Sequence, residues 1–294
     1  MFINKTSWGV FTLYSIETGR FMLDGGAMFG VVPKTLWSKQ VPSDALNRIP
    51  MVMRCLLVHS STTDRYYLVD TGNGRKFDDK QRAIYAYDDT EFNLDTSLAA
   101  HGLKSEMITD ILFTHLHFDH CGGASKWSAD QQSTEPVFKN ARFWVNRLHC
   151  TTATEPNARE KASFLKENLA CLYDPNRLHL IDDHGSIEDG LGWLTMNGHT
   201  QGMILPWVEN EHGQRLVYGA DLIPMAAHVP LPWIMAYDMN PIQTLHEKED
   251  FLREAAEKNW YIFLEHDASH QLVTILHTAG RFEVDQHLTL DQLT

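Results

Sequence analysis

The segment "THLHFDHCGG", residues 114–123, holds four groups able to bind metal within six positions: His115, His117, Asp119 and His120. In an extended segment, His115 and His117 project from the same face of the chain. Asp119 and His120 lie where the chain is expected to turn into two glycines, so they can point elsewhere. This spacing favours two adjacent metal ions over one. Imidazole and carboxylate groups without a thiolate suit zinc, iron or manganese.

Four further polar residues each follow an apolar segment elsewhere in the chain: Asp70 after "YYLV", His199 after "WLTMNG", Asp221 after "RLVYGA" and His266 after "WYIFLE". Strand ends at one edge of packed sheets converge in space, which is how a rigid scaffold builds a site. We therefore predict that these four join the histidine-rich segment in one cluster. The alternative is a set of unrelated polar residues at strand ends. Catalytic metal sites keep one coordination position open for water.

The elements that must position these residues are mostly strands. "FTLYSIETGRFMLDGG" predicts a hairpin turning at Thr18-Gly19, and "MVMRCLLVHS" pairs with "RYYLVDTG" across the turn "STTD". "GWLTMNGHT", "GMILPWVE", "RLVYGAD" and "WYIFLEHD" are predicted as strands of the second half. A helix is expected from Thr244, with Thr244 and Glu247 as a capping box and Asn259 at its end.

Composition narrows the classes of partner. The 294 residues are 43% hydrophobic and 21% charged, as in ordinary globular proteins, and the formal net charge is −13. This acidity argues against nucleic-acid binding, which needs clustered basic residues. No run of about 18 apolar residues predicts a membrane span. The start lacks a secretion signal, which predicts a cytoplasmic protein, or a secreted one if this is a trimmed mature chain. The four separated cysteines are expected to be reduced thiols.

The residues quoted above resemble the signature of the metallo-β-lactamase superfamily. "THLHFDHCGG" is similar to its HxHxDH motif, and "VDTG", "NGHTQG", "YGAD" and "LEHD" appear in the family's order between about residues 50 and 270. The resemblance implies an α/β (α+β) fold, an αββα sandwich of two packed mixed β-sheets flanked by helices. We expect one domain over residues 1–294, with residues 1–45 forming a hairpin and a loop over the active site.

The resemblance also implies how the ligands divide between two divalent ions. His115, His117 and His199 would hold the first ion, and Asp119, His120 and His266 the second, with Asp221 bridging both. Asp70 would orient a histidine rather than bind metal. Zinc is the expected ion, with iron, manganese and cobalt as alternatives.

Two cations beside one water lower its pKa from 15.7 towards ~7 and so supply hydroxide at neutral pH. This metal-bridged hydroxide would attack a carbonyl or phosphoryl centre. Asp119 is expected to shuttle the proton. The predicted catalytic residues are Asp119, Asp221 and His228.

Departures from other branches of the superfamily narrow the activity. The oxygen-reducing diiron branch has glutamate where this chain has His117, and true β-lactamases lack the bridging aspartate that Asp221 supplies. Glyoxalase II has basic residues for glutathione in a helical C-terminal part, whereas "QLVTILHTAGRFEVDQHLTL" is predicted as strand. Nucleic-acid-processing members add a domain and basic surfaces. These branches are therefore disfavoured.

Two other segments, "FMLDGGAMFGVVPKTLW" and "GADLIPMAAHVPLPWIMAYDMNP", resemble the longer quorum-quenching N-acyl homoserine lactonases and the methyl-parathion-hydrolase-like enzymes. The resemblance implies a substrate pocket lined by Met28, Phe29, His228, Trp233, Met235 and Tyr237. Shorter lactonases have a tyrosine that donates to the substrate where this chain has Pro224. His228 is the predicted substitute by position, and the alternatives are a tyrosine from elsewhere in the chain or a different preferred substrate.

The predicted function is hydrolysis of a lactone ring, with a neutral N-acyl homoserine lactone as the leading substrate. The alternative enzyme hydrolyses organophosphate triesters or aryl esters, and a third reading is a metal-binding protein without turnover. The expected partner is a small molecule, with a homodimer as a possible assembly.

Overall fold

Two mixed β-sheets of seven strands each form the centre of the protein in a computed structural model that describes residues 4–293. The first three residues and the last residue of the predicted domain 1–294 lie outside this range. The strands of the first sheet are β1 (Lys5–Trp8), β2 (Phe11–Asp24), β3 (Arg48–Ser60), β4 (Arg65–Val69), β5 (Asp110–Leu112), β8 (Arg142–Asn146) and β9 (Leu178–Ile181). Those of the second are β10 (Gly185–Glu188), β11 (Leu191–Met196), β12 (Met203–Glu209), β13 (Arg215–Tyr218), β14 (Tyr261–Phe263), β15 (Leu272–Thr278) and β16 (Arg281–Leu288). A separate small hairpin pairs β6 (Ser125–Trp127) with β7 (Thr134–Pro136).

The helices are α1 (Gly25–Phe29), α2 (Lys34–Trp37), α3 (Asp79–Tyr85), α4 (Leu94–Ala100), α5 (Phe118–Cys121), α6 (Arg147–Thr154), α7 (Lys166–Leu169) and α8 (Pro241–Lys258). Short 3-10 turns cover Ser105–Met107, Gly122–Ala124, Lys161–Ser163, Ala226–His228 and Leu290–Gln292. No helix within residues 4–293 is both long and apolar enough to cross a membrane.

Strand order within each sheet brings the site-bearing strands side by side. In the first sheet the order is β1-β2-β3-β4-β5-β8-β9, and in the second it follows the chain from β10 to β16. β4 pairs with β5 in parallel, and β13 pairs with β14 in parallel. The carboxyl ends of each parallel pair therefore lie together at one edge of their sheet.

The main core lies between the two sheets. Leu13 and Val58 of the first sheet belong to the same buried cluster as Leu205, Val217 and Phe263 of the second. A second buried cluster joins the first sheet to helices α4 and α7. Helix α8 packs against β15 on the second sheet. The predicted sandwich of two packed mixed sheets flanked by helices is confirmed.

The predicted hairpin turn at Thr18-Gly19 is wrong. β2 continues through both residues and pairs with β3 along its whole length, with a bulge between Glu17 and Gly19. A Thr-Gly pair marks a bulge as readily as a turn, because a bulge also leaves one residue outside the regular pairing. The hairpin in this region instead joins β1 to β2, and the β3–β4 hairpin is as predicted.

Helix α8 begins earlier than predicted. Its first residue is Pro241, and the side chain of Asn240, not of Thr244, caps its N-terminus. Proline fits the first helical position because the N–H that it lacks has no helical partner there. Glu247 therefore is not part of a capping box, and its carboxylate accepts hydrogen bonds from the backbone of residues 197 and 198. Asn259 ends the helix in the left-handed conformation, as expected.

Candidate metal centre

The structure brings the seven predicted ligands and Asp70 together at one edge of the two sheets. Asp70 follows β4, His115 and His117 follow β5, His199 follows β11, Asp221 follows β13, His266 follows β14, and Asp119 and His120 lie in α5. All eight side chains are buried. Gly198 lets the loop before His199 approach α8, because a Cβ at that position would lie 2.4 Å from the backbone nitrogen of Thr244.

The first group of potential ligands contains His115, His117, His199 and Asp221. One ligand atom from each lies within 4.8 Å of the others. The Nε2 atom of His199 is 3.3 Å from Nδ1 of His117 and 3.1 Å from Oδ2 of Asp221. Nε2 of His115 is 3.6 Å from the same Asp221 oxygen.

The second group contains Asp119, His120 and His266, again with ligand atoms within 4.8 Å of one another. The Nε2 atoms of His120 and His266 are 3.3 Å apart, and Oδ2 of Asp119 lies 3.8 Å from Nε2 of His266. Asp221 lies between the two groups, with Oδ1 3.3 Å from Nε2 of His266 and Oδ2 near the first group.

The outer nitrogens of these histidines are held by acceptors, and this fixes their tautomers. His117 donates to Oε1 of Glu160 at 3.3 Å, and His199 donates to Oδ1 of Asp238 at 3.0 Å. In the neutral ring the other nitrogen then carries a lone pair. When both rings are neutral, as metal ligands must be, Nδ1 of His117 and Nε2 of His199 face each other as two acceptors, which cannot bond to each other but can share a cation.

The second group has the same arrangement. His120 donates through Nδ1 to Oδ2 of Asp70 at 3.0 Å, and His266 donates through Nδ1 to the carbonyl of Val52 at 2.9 Å. Asp70 is itself held by the backbone N–H and the hydroxyl of Thr114, at 2.8 and 2.6 Å. In the neutral rings, the Nε2 lone pairs of the two histidines therefore point at one common space.

These spacings fit a metal ion. With Zn–N bonds of about 2.0–2.1 Å, two nitrogens of a tetrahedral site are about 3.3–3.4 Å apart. The facing nitrogens in both groups have this separation. Nε2 of His115 and Oδ1 of Asp221 are buried with no hydrogen-bond partner, which is costly unless a ligand satisfies them. The residues present therefore fit two divalent ions.

Burial and neighbouring charges act in opposite directions on the site histidines. Burial alone would lower the pKa of His199, but the carboxylates of Asp221 and Asp238 raise that pKa to about 10. Burial likewise opposes the rise for His266, yet Glu265 and Asp221 bring its pKa to about 9. Burial also disfavours ionised Asp221, but His199 and His120 hold its pKa well below the usual range.

Burial would lower the pKa of His120 as well, but Glu265, Asp119 and Asp221 raise it well above the usual range. Zinc binding to the metal-free protein at pH 8 is therefore expected to release about three protons, from His120, His199 and His266, because a histidine ligand must be neutral. All three pKa values lie above the unfolded value of about 6.5. The contribution of His199 and His266 to metal-free stability is complete below that pH and is lost as the pH rises through 9 and 10. Titration calorimetry in two buffers of different ionisation enthalpy counts the protons. Release near zero would contradict this protonation state.

Several residues of the site were not predicted from the sequence. Glu160 and Asp238 carry no recognisable motif, although each fixes one histidine of the first group. Glu265 is buried with Oε2 3.2 Å from Nδ1 of His120. His149 lies in α6, where it accepts from the backbone N–H of Leu116 at 2.7 Å and donates to the carbonyl of Gln201 at 2.9 Å. His149 therefore connects the segment after β5 to the loop after β11, and these two segments carry the histidines of the first group.

A cavity opens above the two groups, with His117, Asp119, His199, Asp221 and His266 in its floor. Of the predicted pocket residues, Met28, Met235 and Tyr237 line it. The remainder of the wall is largely apolar or aromatic and includes Leu23, Met51, Tyr85, Phe118 and Met239. Arg159 and Glu160 add one positive and one negative side chain to it.

The other three predicted pocket residues lie elsewhere. Nε2 of His228 is 2.8 Å from the carbonyl of Met28, and its ring stacks on Phe29 at 4.8 Å. Phe29 is fully buried, and Trp233 lines a neighbouring cavity. These placements correct the prediction that His228 acts on the substrate, because its ring is occupied by Met28 and Phe29 of helix α1.

Comparison with known proteins agrees with this geometry. The model of the metallo-beta-lactamase superfamily matches residues 54–266. A search of curated protein sequences finds no match. Among solved structures, a probable metal-dependent hydrolase from Staphylococcus aureus has 27% sequence identity and a TM-score of 0.87, covering 98% of this chain and 100% of that chain.

Two other solved structures share the fold at lower identity. AidC, a dizinc quorum-quenching lactonase in complex with a product, has 21% identity and a TM-score of 0.75, with 97% of each chain covered. The hydrolase AbOPH has 18% identity and a TM-score of 0.78, again with 97% of each chain covered. The family match spans most of the chain and all the ligand segments described above. The chain therefore belongs to the metallo-beta-lactamase superfamily and is a hydrolase.

Proposed function

We propose that this hydrolase uses two divalent metal ions, zinc being the first candidate, to open the ring of a neutral lactone that carries an apolar acyl chain. N-acyl homoserine lactones are the leading substrates, which makes the activity a quorum-quenching one. The observation that carries the proposal is the position of Asp221, between two ligand groups at the floor of a cavity with a methionine-rich wall.

In this proposal His115, His117 and His199 would hold the first ion, Asp119, His120 and His266 would hold the second, and Asp221 would be shared by both. When bound, the ions would supply a water of lowered pKa and a polarised carbonyl. The protein's part is to hold the ligand atoms at fixed separations through Glu160, Asp70, Asp238 and the carbonyl of Val52.

Asp119 is the residue proposed to move the proton. Its side chain lines the cavity as well as approaching His266, so it faces both substrate and metal ligands. During hydrolysis the attacking water forms a new bond to the carbonyl carbon, and the bond from that carbon to the ring oxygen breaks. The water's proton can pass through the Asp119 carboxylate to the departing ring oxygen, which leaves as an alcohol.

The cavity wall supports an apolar substrate. Four methionines, Met28, Met51, Met235 and Met239, line it together with Leu23. Methionine side chains are flexible and polarisable, so they can adapt to acyl chains of different length. The net charge of −13 favours a neutral substrate over an anionic one through the long-range field. The structural neighbour AidC, whose structure contains N-hexanoyl-L-homoserine as product, adds support.

Tyr237 is proposed to donate the hydrogen bond that Pro224 cannot supply. Burial, together with Tyr85, Asp119 and Asp221, raises the pKa of Tyr237 to about 12, so its hydroxyl is protonated at neutral pH. Pro224 serves the site differently, since its carbonyl accepts from the backbone N–H of His266 at 3.1 Å.

Tyr237→Phe is expected to lower kcat/KM for a long-chain lactone about tenfold, which is the loss of one hydrogen bond of about 1.4 kcal/mol. Steady-state kinetics with Tyr66→Phe as control measure this, because Tyr66 lies on β4 and stacks on His59 away from the cavity. Unchanged kcat and KM in Tyr237→Phe would exclude this role.

The substrate class is tested with zinc-loaded protein on hexanoyl and decanoyl homoserine lactones and on a paraoxon-like triester. Ring opening is followed by the acid that it produces, with and without a chelator. We expect turnover of both lactones, with a higher kcat or a lower KM for the longer chain. Activity should be lost when the chelator is added. Faster triester hydrolysis, or no lactone turnover by fully loaded protein, would overturn the proposal.

A further inference from the structure

Lys248 is a buried lysine in the middle of α8 whose ammonium group faces only backbone. Its side chain is fully buried. Nζ donates to the carbonyls of Pro230 at 2.9 Å, Leu231 at 3.3 Å and Trp233 at 2.8 Å. An ammonium group has three N–H donors, so these three carbonyls satisfy it completely.

The segment that Lys248 holds leads directly into the metal centre. Residues 229–240 run from the 3-10 turn before them to the start of α8. Within this segment Met235 and Tyr237 line the cavity, and Asp238 accepts from Nδ1 of His199. Asp238 also accepts from the backbone N–H of Met235 at 3.1 Å, which ties the cavity wall to the histidine.

Glu247, the residue before Lys248 in α8, contacts the loop that carries His199. The carboxylate of Glu247 accepts from the backbone N–H groups of Asn197 and Gly198 at 2.8 to 3.0 Å. Two successive residues of one helix thus hold two loops: Glu247 holds the loop that carries His199, and Lys248 holds the segment that carries Asp238.

A buried ammonium is an expensive way to hold a loop. Removal of a charge from water costs free energy that neutral carbonyls offset only in part. Burial lowers the pKa of Lys248 to about 7, against the opposing influence of Asp238. Perturbed lysines of this kind concentrate at functional sites. A methionine of similar length would fill the same space without a charge. Packing alone therefore does not explain why a lysine occupies this position.

We propose that Lys248 is a positioning residue for the metal centre. By fixing the carbonyls of residues 230, 231 and 233, it sets the place of Asp238 on His199 and of Met235 and Tyr237 in the cavity wall. Its kinetic consequence rests on the proposed lactonase function, whereas its effect on metal binding does not.

The test compares Lys248→Met with Lys258→Met at pH 6.5, where Lys248 is mainly an ammonium. Lys258 is on the same helix but half exposed and paired with Glu254 at 2.6 Å.

Zinc affinity is measured by competition with a chromophoric chelator, and the first site is observed through the absorption spectrum of Co²⁺-substituted protein. We expect Lys248→Met to weaken zinc binding about tenfold and to shift the Co²⁺ bands, since residues that orient ligands affect metal affinity 10–100-fold. Lys258→Met should change neither.

A double-mutant cycle with Asp238→Asn decides whether Lys248 acts through Asp238. If it does, Lys248→Met adds little to the loss of zinc affinity that Asp238→Asn alone causes. For lactone hydrolysis, KM of Lys248→Met should rise more than kcat falls, because the cavity wall is displaced. Should Lys248→Met fail to fold, Lys248→Gln retains two N–H donors and is expected to show the same changes at smaller size.

Wild-type zinc affinity and Co²⁺ spectrum in Lys248→Met, with only a lower melting temperature, would overturn the inference. Additive losses in the double mutant would do so as well. If wild-type protein fails to open lactones, the proposed substrate is wrong, but the affinity and spectral comparisons still test Lys248.

Discussion

Replacing Asp221 by asparagine is expected to lower kcat/KM about a thousandfold while the protein stays folded. A metal ion that polarises the reacting carbonyl contributes several kcal/mol to transition-state stabilisation, and about 4 kcal/mol corresponds to a thousandfold in rate. Asp221 is the carboxylate that lies against both ligand groups, with His199 at 3.1 Å on one side and His266 at 3.3 Å on the other. An amide has a single weak ligand oxygen, so it cannot serve both ions.

The measurement is steady-state lactone hydrolysis at saturating zinc, together with circular dichroism and metal content. Asp250→Asn is the matched control, because Asp250 lies exposed on α8 and pairs only with Arg253. We expect Asp221→Asn to bind fewer than two ions per chain. Activity within tenfold of wild type at full zinc loading would remove Asp221 from the proposed mechanism.

The second large effect is expected from His117→Ala. It removes one of the three imidazoles from the first group and leaves His115 and His199 there with Asp221. Residues that only orient a ligand are worth about 10–100-fold in metal affinity, and loss of a direct ligand should cost more. The first ion should therefore be lost at micromolar zinc, and kcat/KM should fall at least about a hundredfold. The change also leaves Glu160 without the imidazole that, with Thr200, lowers its pKa against burial. That pKa should rise in the variant.

His246→Ala is the matched control for this substitution, since His246 is an exposed residue of α8. Added imidazole offers a further check, because it can enter the space left by the side chain and restore part of the activity. Two ions per chain and wild-type turnover in His117→Ala would show that His117 is not a ligand.

The ligand segments could be located from the sequence because their chemistry is local. Three histidines and an aspartate within six positions leave few structural explanations, and apolar runs before Asp70, Asp221 and His266 place those residues at strand ends. The two-sheet architecture was expected from the family resemblance that these same segments carry. These features depend on residue type and short spacing, which a sequence displays directly.

The residues that support the ligands could not be located in this way. Glu160 reaches His117 across 43 positions of sequence, and Asp238 reaches His199 across 39. Such pairs depend on how loops pack, which no local pattern records. The same limit explains the error at His228, whose place in the chain suggested the pocket while its ring hydrogen-bonds to the carbonyl of Met28. Lys248 likewise donates to carbonyls 15 to 18 positions earlier in the chain, and no local pattern marks it.

Anomalous diffraction from zinc-loaded crystals would show directly whether Asp221 joins two ions. We expect two zinc peaks per chain about 3.5–4 Å apart, as in other two-metal sites. Each peak should lie about 2.0–2.2 Å from a different oxygen of Asp221. A single peak at full zinc occupancy, or an Asp221 side chain turned away from both ions, would contradict this arrangement.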